Sequence, residues 1–273
     1  MIRSVLCWFL FTAQALSAQE LYVFSDPASN IPARSVNVKL KTHGVGTDMI
    51  FGRNAYRVMP QVMAGLTKKI QLRFSASASN MHTKSLETES INLGAKYRFL
   101  SLDGIHQHFR MATYVDGSIT RIPFHYEEIT LMGDKTGVEV GLIATQLWHK
   151  LAVSGTVSRT EVLDKSRNDG LVYFPKRQYQ SLNYSLSAGY LLLPREYKNY
   201  KQPNLNIYVE LLGQRLIGTD LNYIDLAPAL QLILNSRIKV NVGRRYQLQG
   251  NMQRMASQSW LFSVETSFLQ VWK

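Results

Sequence analysis

The residues able to do acid–base, nucleophilic or metal chemistry are few and scattered. The six histidines are His43, His82, His106, His108, His125 and His149. Barrel hydrolases that act on lipids set a histidine two residues before a serine, so that a base stands beside the nucleophile. No histidine here has serine at that spacing. His106 and His108 could share a strand face as a metal pair, or be hydrogen-bonded residues near a rim. The single cysteine, Cys7, lies in the apolar N-terminal stretch, so no disulfide framework or thiolate chemistry is expected. No Walker, dinucleotide or zinc-finger spacing occurs. These residues predict a protein that is not an enzyme and carries no metal or cofactor.

What the chain does offer is charge interleaved with apolar residues. Nine cations sit in such runs: Lys39, Lys41, Arg57, Arg73, Lys96, Arg98, Arg110, Lys239 and Arg245. Four acids share the setting: Asp116, Glu139, Glu210 and Glu265. Gathered around one water-containing interior, they would concentrate anions. Arg73, Lys96, Arg98 and Arg110 would form one basic wall, apart from loop lysines such as Lys135 and Lys165. The alternative is a packed interior whose charges neutralise one another and which conducts nothing.

The elements that position these residues follow from period two. Ile70, Leu72, Phe74, Ala76 and Ala78 alternate with Gln71, Arg73, Ser75, Ser77 and Ser79. The runs 91–99 and 182–192 do the same, which makes strands with one apolar and one polar face. Twelve strands are predicted, at about 35–43, 56–66, 70–79, 89–101, 107–118, 137–148, 151–162, 180–193, 205–215, 225–235, 237–247 and 259–272. Their connections alternate. Those at 67–69, 102–106, 149–150, 194–204 and 235–236 are mostly short, whereas 44–55, 80–88, 119–136, 163–179, 216–224 and 248–258 are long and polar. An even strand number with short turns at one end and long loops at the other predicts an all-β, antiparallel transmembrane β-barrel. Pro60 and Pro228 lie inside strands 2 and 10, where each removes a ladder donor, so a bulge or shortened strand is expected there.

The chain has 273 residues, 18% charged and 45% hydrophobic, with a formal net charge of +12. That composition excludes global disorder, and no stretch after the N-terminus has the ~18 apolar residues of a membrane helix. Residues 1–18 read as a cleaved signal peptide: Arg3, an apolar core from Val5 to Phe11, then Ala15 to Ala18. Export and membrane strands place the protein in the outer membrane of a Gram-negative cell, so its basic charge does not imply nucleic acid. Residues 19–34 are too short for a plug domain. With Pro27 and Pro32 they should lie extended at the periplasmic mouth, Tyr22 and Phe24 resting on the rim. The barrel proper is 35–273. Trp148, Trp260 and Trp272 fall at strand ends, where girdle aromatics meet lipid headgroups. Arg53, Lys84, Arg167 and Lys176 at the external rim could neutralise lipopolysaccharide phosphates.

The run Leu21–Ser35 resembles the mature N-terminus of an outer-membrane barrel family of Bacteroidota-type bacteria. Met59–Thr67, Ser75–Asn80, Tyr208–Gly213 and Ala227–Gln231 are similar to the same family. Its members are labelled transporter-like and are similar to phenol-degradation (MetA-pathway) barrels. The resemblance covers most of the chain after the signal and implies fold and compartment rather than cargo. Such strands usually end on an aromatic residue read by the barrel-assembly machinery; here Trp272 is followed by Lys273. The expected function is passive or facilitated passage of a small solute, anionic or hydrophobic, through a basic lumen. A non-conducting structural or surface-interaction barrel is the alternative, and an outer-membrane enzyme comes third.

Overall fold

The computed structural model describes residues 22–46, 53–121, 126–163, 178–196 and 202–272. The signal peptide, with Cys7, lies outside them. The strands are β1 (Ser35–Val45), β2 (Ala55–Gly65), β3 (Ile70–Ser79), β4 (Glu87–Gly104), β5 (Gln107–Thr120) and β6 (Gly137–Trp148). They continue as β7 (Leu151–Val162), β8 (Gln180–Leu193), β9 (Asn204–Leu216), β10 (Asn222–Leu234), β11 (Ile238–Gly250) and β12 (Gln258–Phe268). Each pairs antiparallel with its chain neighbours, and β1 closes on β12 from Val36↔Phe268 to Gly44↔Trp260. No helix of the described residues is long and apolar enough to cross a membrane, which has no bearing on strands.

The faces are inverted relative to a soluble barrel. Leu93 and Leu186 point outward, 64% and 54% exposed, while Ser187 points inward and is fully buried. An apolar outside and a polar inside is the pattern of a barrel that meets lipid. Closure removes every free sheet edge. The tight turn Asn235–Ser236 has φ of 50° and 55°, the paired positive values that match strand twist in a two-residue hairpin.

The prolines act differently from expectation. Neither strand is shortened, and neither proline carries a bulge. Instead the ladder skips. β2 pairs with β3 at Val58 and next at Gln61, leaving Pro60 unpaired on that side. β10 pairs with β11 at Leu226 and next at Ala229, leaving Pro228 free. Each proline's missing N–H thus falls in a gap on one side, while the other side keeps full register. β12 ends at Phe268 rather than 272, so Trp272 follows the strand.

One bulge changes the interior. Between β3 and β4 the pairing runs Ser77↔Ser90 and then Ala78↔Thr88, so Glu89 is the extra residue. Strict alternation from Ile91 and Leu93 would turn Glu89 outward. The bulge turns it inward, where it is 2% exposed.

Candidate functional site

The bore is not left empty. Residues 22–34 form neither helix nor strand, but they run into the lumen rather than lying at its mouth. The segment enters over Gly65, where a Cβ would come within 2.2 Å of the Pro32 carbonyl oxygen. The Ile31 N–H donates to Gln71 Oε1 of β3 at 3.0 Å. Lys96 Nζ of β4 donates to the Pro27 and Ser29 carbonyls at 2.9 and 2.8 Å. Arg110 of β5 donates to Ser29 Oγ at 2.8 Å, and the Ala28 N–H to Thr145 Oγ1 of β6 at 2.9 Å. Arg73 of β3 pairs with Asp26.

The far end is held by one carboxylate. Glu210 of β9 accepts from the consecutive N–H groups of Val23, Phe24 and Ser25 at 2.9, 2.9 and 2.8 Å. Ser187 of β8 also donates to it, at 3.1 Å, and lies 2.8 Å from Ser25 Oγ. Tyr22 and Val23 pack with Leu147, Tyr208, Ala229 and Leu261, from β6, β9, β10 and β12. Tyr22 meets Tyr208 edge-on at 5.6 Å. A segment this short that touches strands so far around the circuit must lie across the bore. The apolar collar explains why inward positions of a polar lumen carry Leu147 and Leu261.

The long-loop end is covered as well. The β5–β6 connection dips inward: Gln214 of β9 exchanges two hydrogen bonds with the Ile129 backbone, at 2.9 and 2.7 Å. Asn92 of β4 donates to the Leu131 carbonyl at 2.9 Å. Ile129 packs with Val162, Leu216, Tyr223 and Met252. Two charge clusters anchor this loop. Arg57 bridges Glu89 at 2.6 Å and Asp134 at 2.5 Å. Arg245 and Arg254 share Asp225 and Glu128, with Arg254 stacked 3.6 Å over the Tyr223 ring. Burial pushes the Asp134 carboxyl up, but Arg57, His82 and Lys135 together hold the group well below the usual carboxylate range. Glu128 is likewise raised by burial and more strongly lowered, chiefly by Arg254.

Most of the expected lumen residues do face inward, but the interior is not basic. Lys39 and Lys239 flank Glu265 at 3.9 and 2.6 Å. Arg73 also binds Asp116. Arg98 is a rim residue, donating to the Lys68 carbonyl at 2.7 Å, so no basic wall of four exists. Among the described residues, Asp26, Glu89, Glu128, Asp134 and Asp225 add five interior acids, against two further cations, Arg254 and Lys135. Lys135 is fully buried, donating to the Tyr126 carbonyl at 3.0 Å. Charge is close to balanced.

Between segment and loop remains a cavity of about 320 Å³, near the lower bound of the roughly 300–1,000 Å³ typical of ligand pockets. Glu139 lines it and accepts from Tyr114 (2.5 Å), Ser158 (2.9 Å), Thr160 (2.9 Å) and Asn183 (3.4 Å). Tyr114 reaches Glu139 by lying over Gly141, where a Cβ would come within 2.4 Å of its ring.

His106 stacks on His149 at 5.0 Å, while His108 contacts Asp103 at 2.8 Å, so the two do not share a site. His82, Glu89 and Asp134 come close enough to ligate an ion, but Arg57 already holds both carboxylates. Trp148 and Trp260 are exposed at opposite ends of the barrel, and Arg244 lies 4.8 Å over the Trp260 ring. Arg53 donates to the Asn80 and Thr83 carbonyls. Lys84 is exposed, and Arg167 and Lys176 fall outside the described residues.

No protein-family model matches the chain, and no curated protein matches it. Among solved structures it is similar to an outer membrane channel from Pseudomonas putida F1, at 13% identity and TM-score 0.55, covering 89% of this chain and all of that one. It also aligns with the KdgM porin solved in complex with disordered oligogalacturonate, at 8% identity and TM-score 0.49, over 86% of this chain and 99% of the porin. The outer membrane phospholipase A of Escherichia coli aligns at 9% identity and TM-score 0.43, over 87% and 93%. The first likeness, with the strand circuit, defines an outer-membrane-type β-barrel of twelve strands. The described interior makes it one with a filled lumen.

Proposed function

We propose that the protein is an outer-membrane barrel for passage of small solutes, closed at rest by its own residues 22–31. The observation that carries this is the cavity left between segment and inward loop. A scaffold needs no such chamber, and a strand-bonded plug would not leave by itself. This one has no strand pairing to the wall. Its removal would leave the wall hydrogen bonds intact and join the cavity to the short-turn end. The resemblance to transporter-like barrels supports the same reading. So does the likeness to a channel, at the level of fold.

The ion-paired interior favours a second reading, a non-conducting barrel that presents its loops. Swelling of proteoliposomes in small sugars and amino acids separates the two. Slow swelling is expected for the chain beginning at residue 19, and faster swelling for one lacking 19–31. If neither folded form admits solute, the scaffold reading replaces passage.

A further inference from the structure

The cavity is electrically lopsided. On the β1 side, Lys41 and His43 face it, and Lys41 makes no ion pair or hydrogen bond among the described residues. Just below, one acid, Glu265, lies between two lysines, Lys39 and Lys239. On that wall basic groups outnumber acids, and Lys41 has no carboxylate of its own among the described residues. On the other side, Glu139 of β6 is hydrogen-bonded only by neutral groups. Beside it Arg73 is shared by Asp26 and Asp116, and Lys96 is tied to the Pro27 and Ser29 carbonyls, so among the described residues Glu139 is left without a cation of its own. β1 and β6 lie five steps apart one way around the twelve strands and seven the other, which makes them nearly opposite. The charges therefore set a field across the bore instead of a potential of one sign.

A solute with one charge gains on one wall and loses on the other. A solute carrying both gains on both, if it is short enough to fit about 320 Å³. We propose that the cavity takes a small zwitterionic solute of amino-acid type, its carboxylate toward Lys41 and His43 and its ammonium toward Glu139. This rests on the reading of the cavity as a solute site, and it names the class of solute.

The test is equilibrium binding to folded protein in detergent, which is independent of conduction. The probes are L-glutamine, butyrate and butylammonium. Glutamine should bind about tenfold more tightly than either single-charge probe, a difference near 1.4 kcal/mol. Lys41→Met should abolish the advantage over butylammonium, and Glu139→Gln the advantage over butyrate. Lys41→Arg, which keeps the charge, should retain both. Equal binding of the three probes, or advantages that survive in Lys41→Met and Glu139→Gln, overturns the inference. Glutamine binding by a barrel that never conducts would leave this inference standing and end the passage reading. Conduction without the preference would do the reverse.

Discussion

Glu210→Ala should raise the ion conductance of the folded barrel in a planar bilayer, while the barrel itself stays as stable as before. The carboxylate accepts three successive backbone N–H groups of the N-terminal segment. Hydrogen bonds to a charged group contribute about 1.5–3 kcal/mol each. Freed from the wall, the three N–H groups can turn to water, so the net loss is well below the sum. A net loss of about 2 kcal/mol would still enlarge the open population roughly thirtyfold. The β8–β9–β10 ladder needs nothing from this side chain, because Glu210 pairs through its backbone with Ser187 and Ala227. Unchanged conductance in a variant with the wild-type melting temperature would show that Glu210 is not the latch.

Arg57→Met should be the most damaging single change to stability. It strands Glu89 and Asp134, whose side chains are 1% and 6% exposed. Removing one partner of a buried pair costs about 3–5 kcal/mol, since the remaining charge loses its hydrogen-bonded counterion without gaining water. The loop that carries Asp134 should come loose, read as new protease cleavage between 126 and 136. The triple change Arg57→Met, Glu89→Gln, Asp134→Asn should recover most of the loss, because the guanidinium and both carboxylates it bridges are removed together. In the wild type, Asp134's depressed folded pKa adds stability that is fully present above the ordinary carboxylate value of about 3.9. That stability is lost as pH falls through the folded value. Urea titration of the lipid-embedded protein measures all three effects. A loss under 1 kcal/mol in Arg57→Met would mean water reaches the cluster.

The strands were legible because a two-faced wall writes period two into the sequence, and each strand has one apolar face to count. Glu89 was not, because a bulge spends one residue without turning the strand and so reverses the parity beyond it. Asp225 stands at the very start of the predicted strand 10, three residues before Pro228, where alternation gives the least context. The destination of the N-terminal segment left no periodic trace, since its partners are up to 187 residues away in sequence. A signal was nevertheless present. Glu210 faces inward with Ser187 and Ala227 as cross-strand neighbours, so no cation satisfies it. A buried carboxylate in that position requires donors from elsewhere. Leu147 and Leu261 on the inward face likewise required an apolar occupant.

The central claim, that the chain closes its own bore, is tested most directly by locking the closure. Ser25 Oγ and Ser187 Oγ are 2.8 Å apart, and Cys7 is the only natural cysteine, so Ser25→Cys with Ser187→Cys introduces one defined pair. Conductance is recorded on the same bilayer before and after dithiothreitol. The oxidised protein should stay shut and the reduced protein should open intermittently, with reoxidation closing it again. Equal conductance in the two states, with the disulfide verified by mass, would contradict a lumen gated by residues 22–31.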